Sequence, residues 1–144
     1  MTRRIACRGL IIHDEKILVV KLKQEHDYYC LPGWTLEDGE MLDDCIVREL
    51  YEELWVEAML WSLGYIHELS LSEEKQLLEF FYRIQNPEDF LRIDLVNTSH
   101  GFEIYDLKRI SVYDRSTKVL PAELMVSLRE WATSSDGVVR RIVR

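Results

Sequence analysis

The sequence has no long apolar run. Its most hydrophobic stretches, such as Ile17 to Val20, are far shorter than the roughly 20 apolar residues of a membrane-spanning helix. Residues Met1 to Arg4 lead into a strand-like segment without the apolar core and cleavage site of a signal peptide. The chain also lacks internal repeats, low-complexity segments and Gly/Ser-rich linkers. We therefore expect one domain over residues 1–144, in the cytoplasm and without a membrane partner.

Cysteine is scarce and follows no metal or disulfide pattern. Cys7, Cys30 and Cys45 are odd in number and show no CxxC spacing, which argues against a zinc site and a disulfide framework. Cys7 and Cys45 lie in segments of apolar pattern and are expected to be small buried side chains. Cys30 directly precedes a Leu-Pro pair and could be exposed.

Basic residues are the minority among the charged ones. The chain has 18 Lys and Arg against 26 Asp and Glu, a net charge of −8. Such a surface repels a long phosphate backbone, so no long nucleic acid is expected as a partner. A small anionic ligand remains compatible if metal ions screen its site. Arg140, Arg141 and Arg144 gather near the C-terminus and are interpreted as a solvated tail or an edge strand.

The apolar pattern predicts strands, a helix, further strands and a final helix. The first helix is predicted over Leu42 to Leu54, where apolar side chains recur on one face, and the second starts at Pro121. Strands are predicted over Arg4 to Ile12, Lys16 to Leu22, Tyr28 to Leu31, Glu57 to Leu69, Gln76 to Ile84 and Gly101 to Ile110, with a tight hairpin at His13 to Glu15. This order indicates an α/β or α+β fold, with a mixed sheet covered by helices.

Three carboxylates share one side of the first predicted helix. Glu49, Glu52 and Glu53 are spaced i, i+3 and i+4, on a side roughly 110° from the apolar stripe. They repel one another by a few tenths of a kcal/mol per pair in water, and a divalent cation among them would reverse this. Mg²⁺ takes such oxygen ligands, commonly together with substrate phosphates. Taken alone, however, this triplet is most often a solvated helix face.

The residues around the triplet make a chance pattern much rarer. Glu40 lies where the preceding loop meets the helix, and a bidentate bridge from Arg48 to Glu40 would pin that loop onto the helix. The joint pattern resembles the Nudix box. The glycines at positions 33 and 39 match the usual surroundings of that box. The residues on its positions are Glu40, Arg48, Glu49, Leu50, Glu52, Glu53 and Val56, without a gap.

Two positions depart from the box, because Trp34 and Trp55 stand where it has glycine. A glycine after a helix often adopts a left-handed conformation, which a bulky residue enters at a cost of roughly 1–2 kcal/mol. In the loop, glycine lets the backbone approach a phosphate or metal, and an indole there could block or reshape the site. The substitutions are compatible with a tolerated variant, with weakened or lost activity, or with deliberate change.

The resemblance implies a Nudix-like α/β/α sandwich and a pyrophosphohydrolase that acts on a nucleoside diphosphate linked to another group. Glu49, Glu52 and Glu53 would then hold Mg²⁺, with Mn²⁺ as an alternative, and Glu49 or Glu53 would orient or deprotonate the attacking water. Gly33, Gly39, Glu40 and Arg48 would be structural residues of the motif, with Glu40 a candidate additional ligand. Some family members recruit a later acidic residue as base or ligand, and here Glu103 is the candidate, although a surface carboxylate is an equally good interpretation.

Weaker candidates lie outside the box. His67 and Glu68 follow it on a predicted strand, where a histidine is usually just hydrogen-bonded. Tyr28 and Tyr29 precede it and could stack on a base, although strand aromatics are usually packing residues. The subfamily markers for ADP-ribose and diadenosine polyphosphates, a proline or tyrosine after the box, are missing around residues 71–74.

Nucleoside triphosphates, oxidised nucleotides and nucleotide sugars all remain compatible as the small nucleotide-type substrate, and a homodimer is left open. Two rival interpretations remain. The first is a catalytically impaired Nudix-fold module that binds a nucleotide or a protein, which the two tryptophans favour and the intact carboxylate set opposes. The second is an acidic α/β domain with a chance pattern, which should show no Mg²⁺ or Mn²⁺ site.

Overall fold

A computed structural model of the chain describes residues 1–93, 104–131 and 140–143. No helix in these ranges is long and apolar enough to cross a membrane. In chain order the elements are β1 (Thr2–Leu10), β2 (Ile12–His13), β3 (Lys16–Lys21), β4 (Tyr29–Cys30), α1 (Leu42–Leu54), β5 (Leu60–Ser70), β6 (Lys75–Ile84), a 3-10 turn (Pro87–Phe90), β7 (Asp106–Ser111), β8 (Val119–Leu120), α2 (Ala122–Trp131) and β9 (Arg140–Val143).

The predicted combination of helices with mixed strand directions is confirmed, and the strands divide between two sheets. The four-stranded sheet has the order β1-β6-β5-β9, in which β5 and β6 are antiparallel while β1 and β9 run parallel to their neighbours. The five-stranded sheet has the order β2-β3-β4-β8, with β7 also paired to β3. The short strands β2 and β3 form the predicted tight hairpin, whose turn residues Asp14 and Glu15 both have positive φ.

Each sheet contributes to two separate hydrophobic cores, because alternate residues of a strand point to opposite faces. The neighbours Phe80 and Phe81 of β6, for example, pack into different cores. One core includes Ile46 and Leu50 of α1, and the other includes Leu124 of α2. The two helices therefore pack on different cores. The apolar stripe of α1 faces its core, so that the acidic side of the helix lies at the rim of that core.

Several sequence-based boundaries change in the structure. The helix α1 has the predicted bounds, whereas β5 begins at Leu60 instead of Glu57. The prediction that Cys30 could be exposed is wrong: its exposed fraction is 9%, because β4 lies between β3 and β8 and pairs with both. The C-terminal basic segment forms the edge strand β9 beside β5, while residue 144 lies outside the described ranges.

Candidate functional site

The segment before α1 is attached to the edge of β1 that faces away from β6. The backbone amides of Gly9 and Cys7 donate to the carbonyls of Pro32 and Trp34, each at 2.9 Å, and the amide of Leu36 donates back to β1 at 2.9 Å. These hydrogen bonds hold the loop along the edge of β1. The loop therefore has a fixed position where it leads into α1.

Gly33 occupies a position that no side chain fits. Its φ is +116°, and a Cβ there would lie 2.1 Å from the carbonyl oxygen of Cys7 and 2.9 Å from the Cα of Arg8. Gly39 differs, because its φ of +77° demands glycine while the space around it is open. Both positions are consistent with the structural role that the sequence assigned to them, Gly33 through close packing and Gly39 through backbone conformation.

Arg48 joins the loop to α1 as the sequence predicted. Its Nε donates to Glu40 Oε2 at 2.7 Å and its Nη2 donates to Glu40 Oε1 at 3.0 Å, which is a bidentate bridge. Nη2 also donates to the carbonyl oxygen of Thr35 at 3.3 Å. The hydrogen bonds from Arg48 lower the pKa of Glu40 to about 2, and the same bridge raises the pKa of Arg48.

The three carboxylates proposed as metal ligands lie side by side but have different partners. Arg48 Nη1 donates to Glu49 Oε1 and to Glu52 Oε2, each at 3.0 Å. Glu53 instead accepts a hydrogen bond at 3.0 Å from the backbone amide of Gly33. The structure thus brings Glu40, Glu49 and Glu52 around one guanidinium, while Glu53 is directed to the loop.

The carboxylates in contact with Arg48 outnumber its single positive charge. A single guanidinium faces three carboxylates within 3.0 Å, and the Glu49 side chain is only 12% exposed. Burial raises the pKa of Glu49 above its ordinary value, and the nearby Arg48 offsets only part of that shift. Clustered carboxylates with a pKa raised by burial are typical of functional sites.

The donor set fits a hard divalent cation in its chemistry. Carboxylate oxygens are the ligands that Mg²⁺ prefers, and a cation would relieve the burial of the Glu49 charge. In the conformation described, no three acidic, histidine or cysteine side chains within residues 1–93, 104–131 and 140–143 have the arrangement of a metal site. The reason is visible in the contacts: Glu49 and Glu52 are turned to Arg48, with which a cation would compete for their oxygens.

The two tryptophans in glycine positions are accommodated in different ways. The Trp34 ring lies 4.6 Å from the guanidinium carbon of Arg8 and 4.8 Å from that of Arg4, both cation–π distances. Trp55 caps α1 in the left-handed conformation, with φ 59° and ψ 32°, and its amide donates to the carbonyl of Tyr51 at 2.9 Å. The strained backbone that the missing glycine predicted is therefore present, and the bulky Trp55 adopts it.

A buried polar network next to the loop was missed by the sequence analysis. Arg8 Nε donates to Glu79 Oε2 at 3.0 Å, and His67 Nδ1 lies 2.8 Å from Glu79 Oε1. His67 is thus a hydrogen-bonded strand residue, the interpretation that the sequence analysis favoured for it. The sequence did contain a sign of this network, because Arg8 and Glu79 are charged residues within the apolar patterns of β1 and β6.

The two tyrosine candidates have partners outside α1. Tyr28 stacks on His26, with ring centroids 4.7 Å apart. The Tyr29 hydroxyl donates to Asp106, which raises the pKa of Tyr29 to about 12. Both tyrosines are engaged in packing within the fold. Glu103 lies outside the described residues.

Comparison with known proteins places these features in a family context. The family model of the NUDIX domain matches residues 2–120. Among solved structures, the E. coli ORF135 protein aligns with a TM-score of 0.73 and 19% identity over 96% of each chain. A UDP-X diphosphatase aligns at 0.72 and 22% over 97% of this chain and 68% of that one. An ADP-ribose pyrophosphatase from Streptococcus suis 89-1591 aligns at 0.67 and 18% over 97% and 99%. No match was found among curated protein sequences.

Proposed function

This chain belongs to the Nudix family, and on that premise we propose that it is a divalent-metal-dependent hydrolase that cleaves a phosphoanhydride in a nucleoside diphosphate linked to another group. The observation that carries the proposal is the clustering of Glu40, Glu49 and Glu52 around the single guanidinium of Arg48. Glu49 and Glu52 share one guanidinium nitrogen, and burial holds the pKa of Glu49 above its ordinary value. Such a cluster is stabilised by a bound cation, which a purely structural helix face does not require.

We assign the following roles to the residues of this site. Glu49, Glu52 and Glu53 would hold Mg²⁺ or Mn²⁺, and Glu49 or Glu53 would orient or deprotonate the attacking water. When bound, the metal would offset charge on the phosphoryl oxygens and lower the pKa of that water. Glu40 and Arg48 fix the loop against α1, so that the carboxylates are positioned before substrate arrives. Glu103 remains a candidate base or ligand.

The substrate is proposed to be a small nucleotide, because a net charge of −8 disfavours long nucleic acids. Structural neighbours described as a UDP-X diphosphatase and an ADP-ribose pyrophosphatase support nucleotide-linked diphosphates as the class. Nucleoside triphosphates, oxidised nucleotides and nucleotide sugars are the first compounds to test.

A panel of these compounds, with ADP-ribose and dinucleoside polyphosphates, tests the proposal. Release of phosphate or nucleotide is followed with Mg²⁺, with Mn²⁺ and with chelator. We expect metal-dependent turnover that falls about 10²- to 10⁴-fold in Glu53→Gln. The matched control is Glu74→Gln, an exposed residue in the turn between β5 and β6 with the same change of charge. Turnover that survives the chelator, or an equal loss in both variants, would reject the proposal.

A second candidate function is a Nudix-fold binding module without turnover. The observation that favours it is the presence of Trp34 and Trp55 in the two glycine positions of the motif, one of them in a left-handed backbone conformation. The double variant Trp34→Gly, Trp55→Gly separates the two functions. Silence of the natural chain with activity of this variant would indicate an enzyme disabled by the tryptophans. Silence of both folded proteins over the whole panel would favour the binding module.

A further inference from the structure

The four-stranded sheet contains a row of buried polar side chains directly behind the loop of the candidate site. Arg8 of β1 and Glu79 of β6 are each 5% exposed, and His67 of β5 is 2% exposed. Burial alone would raise the pKa of Glu79, but the hydrogen bonds and charges of His67 and Arg8 hold that pKa below its ordinary value. Glu79 is therefore a buried carboxylate that keeps its charge through these two neighbours.

Arg8 connects this row to the loop. Besides its bond to Glu79, its Nη1 donates to the carbonyl oxygen of Leu31 at 2.8 Å and to that of Gly33 at 2.9 Å. These two carbonyls flank Pro32, so a single guanidinium group binds both ends of the turn that leads to the motif. The planar, multi-donor shape of arginine suits this task, and a lysine ammonium cannot serve all three acceptors with the same geometry.

The turn that Arg8 holds is the one that binds Glu53. The carbonyl of Gly33 accepts from Arg8, while the amide of the same residue donates to Glu53 Oε2 at 3.0 Å. Gly33 itself cannot shift far, because it is packed against the backbone of β1. An unbroken series of hydrogen bonds thus runs from His67 through Glu79, Arg8 and Gly33 to the carboxylate of Glu53.

Trp34 takes part in the same arrangement. Its indole lies 4.6 Å from the guanidinium carbon of Arg8, at cation–π distance. The residue that replaces the first glycine of the motif therefore covers the cation that holds the loop. This contact gives the Trp34 side chain a packing role beside the loop.

We propose that Arg8, held by Glu79 and covered by Trp34, is a positioning residue that sets the Glu53 carboxylate through the backbone of Gly33. The assignment of Glu53 as a ligand or base rests on the proposed function, but the link from Arg8 to Glu53 belongs to the metal-free protein. The competing interpretation is that the buried network only holds the sheet together. The two differ in whether a change at Arg8 reaches the Gly33 amide.

The test is ¹H–¹⁵N NMR of the metal-free protein, in which the chain's 6 glycines give few and well-separated amide signals. Glu53→Gln first identifies the contribution of the carboxylate to the Gly33 signal. In Arg8→Lys, we expect the Gly33 proton to move in the same direction and its exchange with solvent to rise about tenfold, since a charge-assisted bond is weakened. The signal of Gly39 serves as an internal reference in every variant, and that of Gly64 in the Arg8 and Glu79 variants, because Gly64 packs against Arg83.

A matched variant separates positioning from stability. Arg83 of β6 is a second buried arginine, and it donates to Ser62 and Leu63 of β5, which lies on the other side of β6 from β1 and the loop. Arg83→Lys is expected to leave the Gly33 signal in place. Glu79→Gln, which keeps Arg8 but removes the charge that holds it, should reproduce part of the Arg8→Lys effect and covers the case in which Arg8→Lys does not fold. A Gly33 signal equally unchanged in the Arg8, Glu79 and Arg83 variants overturns the proposal.

Metal binding provides an independent readout. If Glu53 is a ligand, Arg8→Lys should weaken Mn²⁺ affinity about tenfold, as changes behind a ligand commonly do, whereas Arg83→Lys should not. A natural chain that binds no Mn²⁺ would refute the proposed function, while the NMR comparison would still decide whether Arg8 positions Glu53. An altered Gly33 signal in Arg8→Lys and Glu79→Gln supports the positioning role in either case.

Discussion

Two arginines organise this molecule, and they face different balances of charge. Arg48, at the rim of α1, is bonded to Glu40, Glu49 and Glu52 at once. Arg8, inside the sheet, has one carboxylate partner, Glu79, and its other bonds go to two backbone carbonyls and to the Cys30 sulfur. These bonds to oxygen are similar in length, from 2.7 to 3.0 Å, but the first group keeps an excess of negative charge and the second does not.

The number of carboxylates around each arginine helps to distinguish a ligand site from a structural network. Burying charges is expensive, so a buried carboxylate such as Glu79 requires a cation and hydrogen-bond donors close to it. A partly exposed cluster can keep unbalanced charge, and natural proteins do this where a ligand supplies the missing charge. This contrast supports our proposals that the rim of α1 is the binding site and that Arg8 holds other groups in place.

The largest effect on stability should come from breaking the interior network. We expect Arg8→Ala to lower the free energy of unfolding by about 3–5 kcal/mol, because it leaves a buried carboxylate without its cation. Arg48→Ala should cost less, about 2–3 kcal/mol, since its carboxylates are partly exposed and retain some contact with water. Urea unfolding at pH 7 measures both, with the exposed Arg3→Ala as control. An equal or larger loss for Arg48→Ala would contradict the contrast between the two regions.

The next effect concerns the bridge between the loop and α1. Glu40→Gln should lower the free energy of unfolding at pH 7 by about 2 kcal/mol, the worth of a charge-assisted bidentate bond. The pKa of Glu40 falls from an ordinary 4.5 to about 2 in the folded protein, so its stabilisation is complete above pH 4.5 and is lost as the pH falls through about 2.

The measurement for this bridge is urea unfolding of both proteins across that pH interval. The curves of the natural chain and Glu40→Gln should converge as the pH falls. A difference between them that is the same at pH 2 and pH 7 would show that the ionised bridge is not the source of the stabilisation.

A smaller effect is expected at the end of α1. Trp55 has a φ of 59°, so Trp55→Gly should raise the free energy of unfolding by about 1 kcal/mol, through relief of left-handed strain. Trp55→Ala is the control, because it removes the indole but keeps the strained backbone. If Trp55→Ala stabilises the protein as much as Trp55→Gly does, the gain comes from the side chain and the strain is not the cause.

The smallest effect concerns the surplus charge itself. The pKa of Glu49 is raised by burial, so its ionised form opposes folding at neutral pH and this penalty disappears as the pH falls through the raised pKa. Glu49→Gln should therefore stabilise the metal-free protein, by about 0.5 kcal/mol. Thermal unfolding with chelator and then with Mg²⁺ should reverse the order of the two proteins, because only the natural chain gains from binding.

Local sequence patterns were sufficient to predict the arrangement of residues around α1. Helical spacing placed Glu49, Glu52 and Glu53 together, and the bounds of α1 were predicted without error. The bridge from Arg48 to Glu40 was also predicted. The two residues are only eight apart, and Glu40 lies just before the start of the helix that contains Arg48. In each case the interacting groups are near neighbours in sequence, where geometry follows from the element itself.

The interior network could not be predicted, because it depends on strand pairing over long distances in sequence. Arg8 and Glu79 are 71 residues apart and meet only through the parallel register of β1 and β6. The burial of Cys30 depends likewise on β8, which arrives late in the chain and covers β4. Apolar alternation indicates that a strand exists, but it does not specify which neighbour the strand pairs with.

A Mn²⁺ titration of the metal-free protein tests directly whether the α1 carboxylates bind a divalent metal. Free Mn²⁺ is measured by electron paramagnetic resonance. We predict one saturable site that Mg²⁺ competes for, and its loss in the double variant Glu49→Gln, Glu52→Gln. The double variant Glu73→Gln, Glu74→Gln, on the exposed turn between β5 and β6, should bind as the natural chain does. No saturable binding in the natural chain, or equal binding in both double variants, would contradict the assignment of the α1 carboxylates as the metal site.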